Sequence, residues 1–257
     1  MIADDFYDGL IAEWYDEWLK DRRDDVSYYA AVFAGFRGCA LELACGSGRV
    51  LLPIAKQGVA IDGLDSSRDM LAKLAARLKA EGAKAGWYQQ SMAHFDLPHR
   101  YDAVFIAAGS FQLLITDEEV AGCLESVRRH LRPGGFFLLD VFVPWEAIRQ
   151  QKTAAFTVAR ANQRGDGTRC VVAERFEVDA ARQVVRSIFR YEVFRNGRFE
   201  RSLLRDFPLR WYWEDELAGV LRRAGFSGVE LLADSPLSLP GTWFVFKATA
   251  GREQRFG

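Results

Sequence analysis

Nowhere in these 257 residues does an apolar run approach the ~20 positions that cross a bilayer, and the acidic N-terminus lacks a basic-then-apolar leader. A cytoplasmic chain without membrane contact is the expectation. Histidine is scarce, with only His94, His99 and His130, and the four cysteines (Cys39, Cys45, Cys123, Cys170) form no CxxC pair. That spacing gives no zinc pattern and reads as small buried hydrophobes in a reducing compartment, so no metal site is expected. An excess of one charge is missing too: 34 Lys and Arg stand against 35 Asp and Glu, a net of −1. The global balance draws the chain toward neither nucleic acid nor an anionic surface.

What is present is apolar mass, 49% of the chain, enough for one large α/β domain with an elaboration. Charge is unevenly placed along it. Residues 1–25 hold nine acids, among them Asp4, Asp5, Asp8, Glu13 and Asp16, against Lys20, Arg22 and Arg23, whereas residues 151–210 hold thirteen basic residues against seven acids. Opposite charges would let the first segment rest on the second.

The most informative stretch is Leu41-Glu42-Leu43-Ala44-Cys45-Gly46-Ser47-Gly48-Arg49-Val50, an apolar strand broken by a two-glycine turn and continued as a helix over 49–57. Glycine at 46 and 48 opens backbone conformations closed to other residues and removes the Cβ atoms that would hold a ligand off the main chain. The free N–H groups of the helix start favour a carboxylate or phosphate there. A second strand, 59–64, ends at Asp65, nineteen positions after Gly46. That places an acid beside the same crevice, within reach of a ribose diol. The plainer alternative is an ordinary strand-to-helix turn with Asp65 as a cap, although Ser66 or Ser67 could cap while Asp65 faces a ligand. Leu51 stands where a GxGxxG fingerprint needs its third glycine, and Glu42 puts a carboxylate on the strand, so a nicotinamide cofactor comes last among the readings.

Downstream, short strands at 85–90 and 102–107, a capped helix from Thr116, a strand over 136–142, a helix over 213–224 and strands over 226–232 and 243–248 continue an α/β alternation. This implies a mostly parallel sheet with ligands at the carboxyl ends of its central strands. Between 151 and 205 the character changes. Four strand-like runs are separated by turn residues, including Asn196-Gly197, a strong hairpin signal. They form a small antiparallel sheet whose apolar face must cover the domain, a second subunit or a substrate pocket.

Glu42-Leu43-Ala44-Cys45-Gly46-Ser47-Gly48, followed by Leu64-Asp65-Ser66-Ser67-Arg68-Asp69-Met70-Leu71, resembles the first two motifs of the class I S-adenosylmethionine-dependent methyltransferases. The resemblance covers roughly residues 38–143 and 206–249 by pattern. It implies a Rossmann-like, seven-stranded, mostly parallel sheet with helices on both faces and an antiparallel last strand, plus the inserted antiparallel sheet. The corresponding division is a helical lid segment at 1–37, a core at 38–150 and 206–250, and an insertion at 151–205 that covers the acceptor or makes a homodimer contact.

The cofactor implied is S-adenosylmethionine, and the residues implied to bind it are Tyr15, Glu42, Ala44, Gly46, Gly48, Arg49, Asp65, Ser66, Met70, Ser91, Met92, Ala107 and Phe111. The turn would hold the methionyl part and Asp65 the ribose. Ser91-Met92 stands where the family often faces the adenine with Gly-Asp, Phe111 would stack on adenine or line the acceptor pocket, and Tyr15 would belong to a lid with Tyr7, Trp14 and Trp18. Plainer readings stay open: Arg49 as an exposed first-turn residue, Ser91-Met92 as a loop, the aromatic stripe as a packing face.

Residues 107–112 lack both the Asn/Asp-Pro-Pro-aromatic box of base-modifying enzymes and an acid to begin a magnesium site. Both absences favour the expectation of metal-free transfer to N or O of a small molecule, driven by alignment and water exclusion. His94 is the candidate base if one is needed, with His99 and His130 expected in solvent. Trp145, Arg210 and Tyr212 are candidates for the acceptor pocket. The alternatives are an RNA or DNA methyltransferase using the Arg-rich sheet and a non-catalytic S-adenosylmethionine-binding protein.

Overall fold

A computed structural model describes residues 6–233, 235–237 and 239–251, so Asp4 and Asp5 of the acidic segment lie outside the described residues. Two helices come first, α1 (Leu10–Leu19) and α2 (Asp24–Val32). The sheet begins with β1 (Cys39–Leu43), β2 (Ala60–Asp65), β3 (Gly86–Gln89), β4 (Tyr101–Ile106) and β5 (Leu131–Phe142). Between them run α3 (Leu51–Lys56), α4 (Arg68–Glu81) and α5 (Asp117–His130). After α6 (Trp145–Gln150) come the inserted strands β6 (Thr157–Gln163), β7 (Thr168–Asp179), β8 (Val184–Arg195) and β9 (Arg198–Arg210). The core closes with α7 (Glu214–Arg223), β10 (Phe226–Leu231) and β11 (Trp243–Ala250).

The central strands β1 and β4 are buried along almost their whole length, as a sheet covered on both faces requires. Strand order is β3-β2-β1-β4-β5-β11-β10, parallel except for β11, which runs antiparallel to both β5 and β10. The chain reverses direction across the sheet between β1 and β4, and this switch opens a crevice at their carboxyl ends. Alternate side chains go to opposite faces. Leu41, Val104 and Phe137 meet Leu124 and Val127 of α5 and Leu217 of α7, while Ala40, Ala103 and Phe105 meet Tyr29 of α2, Leu51 of α3 and Leu74 of α4.

The insertion is a separate antiparallel sheet, β6-β7-β8-β9. Asn196 and Gly197 both take positive φ, +50° and +78°, the hairpin geometry that Asn-Gly suits. The sheet continues to Arg210, five residues past the boundary expected at 205, because β9 stays paired with β8 out to Val184. Its apolar face is covered by α1: Leu10, Ile11 and Trp14 pack on Cys170, Val172, Tyr191 and Val193.

Charge follows the same contact, as the uneven sequence anticipated. Glu13 of α1 takes Arg164 at 3.0 Å and Arg201 at 2.6 Å, and the Arg164 guanidinium lies 3.9 Å from the Trp14 ring centre. On its other side α1 holds the core, with Asp16 accepting Lys73 at 2.7 Å and the Ser47 hydroxyl at 2.6 Å. The helix is thus a strap between core and insertion. No helix among the described residues is long and apolar enough to cross a membrane.

Two local expectations need correction. The helix after the glycine turn starts at Leu51 rather than Arg49, because positive φ at Gly48 keeps the chain out of helix until then. His130 is buried at 4% exposure instead of facing solvent. Its Nδ1 lies 2.7 Å from the Ser126 carbonyl and its Nε2 accepts the Leu97 N–H at 2.8 Å, so the ring ties α5 to the loop before β4.

Candidate active site

Three residues of the turn after β1 take positive φ: Ala44 at +53°, Gly46 at +53° and Gly48 at +78°. The two glycines serve different ends. A Cβ built on Gly48 would lie 2.4 Å from the Leu74 Cδ1, so this glycine admits the buried face of α4, whereas a Cβ on Gly46 meets nothing within 4 Å. Gly46 leaves bare main chain on an open space. Its N–H donates to Asp65 Oδ2 at 2.8 Å, and the Ser67 N–H donates to Oδ1 at 2.9 Å. Turn and acid are therefore bonded to one another at the head of one crevice. Burial pushes the Asp65 carboxyl up, with these backbone bonds opposing it. Ser67 caps α4 by accepting the Met70 N–H at 3.1 Å, which leaves Asp65 free of the capping role.

The crevice opens into a cavity of about 1020 Å³ including its mouth. From the core come Ala44, Gly46, Asp65, Ser66, Met70, Ser91 and Met92, together with Ser110, Leu113, Leu114 and Glu119 on the far side of the switch. From the N-terminal segment come Phe6, Tyr7 and Tyr15, and from β9 come Asp206, Phe207 and Pro208. Aromatic contacts close the seam: Phe6 and Phe207 ring centres are 4.4 Å apart, and Tyr7 meets Tyr15 edge-on at 5.7 Å. Burial raises both tyrosine hydroxyl pKa values, so they stay neutral donors. Among the described residues the lining carries three carboxylates and no basic side chain. Glu119 Oε2 accepts the N–H groups of Ile115 and Thr116 at 2.8 and 3.0 Å, which fixes its direction.

Of the residues implied for the cofactor, Tyr15, Ala44, Gly46, Asp65, Ser66, Met70, Ser91 and Met92 share this cavity. The others lie elsewhere. Arg49 is held by Asp25 through two bonds of 2.7 and 2.5 Å and faces the Tyr15 hydroxyl, so its guanidinium is neither exposed nor in the cavity wall. Glu42 is buried on β1 beneath the turn, its Oε2 without a partner, and burial pushes its carboxyl well up. Ala107 is buried at the end of β4. Phe111 faces the core against Tyr212, ring centres 5.7 Å apart, because the short 3₁₀ turn Ser110–Leu113 presents Ser110 and Leu113 to the cavity and turns Phe111 and Gln112 inward.

The acceptor candidates are also redistributed. His94 is exposed and packs on α5, where a Cβ at Gly122 would lie 1.9 Å from its Cε1; it borders a separate depression with Asp96, Glu125 and Arg129. Trp145 pairs with Trp213 at 5.5 Å, Arg210 binds Asp117 at 2.6 Å, and Tyr212 is fully buried. None of the three lines the cavity, whose β9 wall is Asp206, Phe207 and Pro208, a few positions before Arg210. No group of His, Cys, Asp and Glu among the described residues is arranged to hold a metal.

A family model described as a methyltransferase domain matches residues 40–135. A protein of Geobacillus sp. (strain WCH70) named as a methyltransferase is 28% identical over 155 residues, 59% of this chain and 61% of that one. The dTDP-3-amino-3,4,6-trideoxy-alpha-D-glucopyranose N,N-dimethyltransferase of Streptomyces venezuelae is 29% identical over 142 residues, 51% of this chain and 58% of that one. In these matches the chain spans about three fifths of the curated relatives' length. Among solved structures, the CcbJ methyltransferase from Streptomyces caelestis is 26% identical at a TM-score of 0.75, over 97% of this chain and 99% of that chain. The chain therefore carries a match to a methyltransferase domain over residues 40–135 and shares the fold of a solved methyltransferase along nearly its whole length. Its likeness to the solved structure runs through the inserted sheet as well as the core.

Proposed function

We propose that the protein transfers a methyl group from S-adenosylmethionine to a nitrogen or oxygen of a small-molecule acceptor, without a metal. The observation that carries this reading is the 2.8 Å bond from the Gly46 N–H to Asp65, which sets bare main chain and a buried acid on one cavity. The residues fit the cofactor. An open space stands where a Gly46 side chain would go, Asp65 keeps lone pairs for a ribose diol, and Ser91 and Met92 offer polar and apolar contacts for an adenine. When bound, the cofactor supplies a sulfonium-activated methyl group.

The chain's own part is placement and drying. Phe6, Tyr7, Phe207 and Pro208 shed water from the cavity, and α1 ties that cover to core and insertion at once. Aligned, water-free reactants gain most of the acceleration that an in-line displacement needs. An amine acceptor is favoured over a hydroxyl one, since the wall offers carboxylates and no imidazole, and a neutral amine needs no base to attack. The Streptomyces venezuelae relative's name, an N,N-dimethyltransferase, points the same way.

The Arg-rich insertion spends much of its charge within the chain, on Glu13, Asp166, Glu192, Glu200 and Asp206, which supports a small molecule over RNA or DNA. A homodimer through exposed Val158, Phe199 and Leu204 of the insertion, and a cytoplasmic location for a chain with four unpaired cysteines, complete the proposal. Calorimetry with S-adenosylmethionine, S-adenosylhomocysteine and NAD tests the core of it. Micromolar binding of the first two and none of NAD is expected, and preferential NAD binding would end the reading. Light scattering checks the dimer.

A further inference from the structure

Asp140, near the carboxyl end of β5, is wholly buried and has no role in the chemistry proposed above. Its Oδ1 accepts the Tyr29 hydroxyl at 2.5 Å and the Ala108 N–H at 3.0 Å, and its Oδ2 accepts the Gly109 N–H at 2.9 Å. Ala108 and Gly109 have φ of +61° and +73°, two left-handed residues in succession, and the first carries a Cβ. Such a conformation is strained for alanine and persists only where its surroundings hold it. Here the carboxylate takes both N–H groups and is itself steadied by Tyr29 from α2. The next residues are cavity wall: Ser110, Leu113 and Leu114.

We propose that Asp140 is a positioning residue whose carboxylate clamps the 108–109 main chain, thereby sets the acceptor-side wall of the cavity, and releases that wall when it is protonated. The clamp stands on geometry alone; its consequence for turnover rests on the methyltransferase reading. A protonated carboxyl turns one oxygen into a donor, so the two N–H groups and the Tyr29 hydroxyl compete for the remaining acceptor. Burial pushes the Asp140 carboxyl up to about 6, while the bonds from Tyr29, Ala108 and Gly109 favour its charged form and the charge of Asp25 opposes it. Asp25, Tyr28 and Tyr29 are the titratable groups that face it from α2, and Glu42 faces Tyr29 from β1. Release therefore falls in a mildly acidic range.

The test is amide hydrogen exchange across 106–114 from pH 5 to pH 8, corrected for the intrinsic rate, in the wild type, Asp140→Asn and Tyr29→Phe. S-adenosylhomocysteine is titrated calorimetrically in parallel. Wild-type protection at 108 and 109 should drop at least fivefold as pH falls through about 6. In Asp140→Asn it should be low and flat, with affinity for S-adenosylhomocysteine within threefold of wild type at pH 7.5, since Gly46 and Asp65 are untouched. In Tyr29→Phe the step should move to higher pH, because the charged form loses a donor. A merely structural aspartate would not move that step. A wild-type profile without a step, or an Asp140→Asn loop as protected as wild type, overturns the clamp. The wild-type series stands even if a variant fails to fold. Failure of every form to bind S-adenosylhomocysteine would strike the functional reading and leave the exchange profile to decide Asp140.

Discussion

A single methyl group would strain the left-handed backbone at both Gly46 and Gly48, but what it meets differs between them. At 48 it meets the side chain of Leu74, which is fully buried. Gly48→Ala should cost about 1–3 kcal/mol, lowering the melting temperature by ~2–10 °C in a chain of this size while reducing cofactor affinity only through that instability. At 46 the methyl enters open space beside the cavity, so Gly46→Ala should keep more of its stability and lose affinity for S-adenosylhomocysteine directly. Thermal scans alongside calorimetry separate the two. Asp65→Asn keeps an oxygen for one backbone N–H and gives up the charge, and should weaken cofactor binding by ~1–3 kcal/mol if the acid holds the ribose diol. Unchanged affinity would remove that assignment.

At the scale of elements, α1 does the joining. One face of it fills the apolar side of the inserted sheet, Glu13 reaches two arginines of the insertion, and Asp16 reaches Lys73 of α4. Exposed ion pairs of this kind contribute little to stability, ~0–1 kcal/mol each, so Glu13→Gln should barely shift the melting temperature. The apolar contacts of Leu10, Ile11 and Trp14 are the stronger tie. Deleting residues 1–20 removes both, along with Tyr7 and Tyr15 from the cavity, and should weaken S-adenosylhomocysteine binding at least tenfold. In the intact chain binding should also fall modestly between low and high salt, an effect the truncated chain loses. Equal affinity and equal salt dependence in the two chains would end the idea that α1 covers the cofactor.

For the molecule as a whole, buried acids set the response to pH. Asp140 is held near 6, above its unfolded value of 3.8, so the folded state binds more protons than the unfolded state between these limits. The sign is then fixed: its contribution to stability is full below about pH 4 and is lost as pH rises through about 6. From pH 5 to pH 7 that loss amounts to ~1 kcal/mol, and urea titrations should find it in the wild type and not in Asp140→Asn. The charged form that clamps the 108–109 turn is thus the less stable one. Asp16, Asp25 and Asp102 run the other way: their partners lower them, so they stabilise the fold above pH ~4 and fail only in stronger acid.

Element order, the glycine turn, the acid at 65 and the inserted hairpins are legible in the chain alone, because each is written in local signals: apolar period, positive-φ residues, Asn-Gly. The sequence also anticipated that an acidic helix would lie on a basic sheet, since opposite charge needs no register. Which side chains share the cavity is settled by packing. Phe111 and Ser110 are neighbours in the chain, yet a 3₁₀ turn buries one and exposes the other to the site. Arg49 follows the turn directly, yet a buried Asp25 from α2 claims it. Asp140 and Ala108 are thirty-two positions apart and meet only because β4 and β5 lie side by side. Such choices depend on how helices and sheets settle against one another, and a one-dimensional pattern carries no record of those distances.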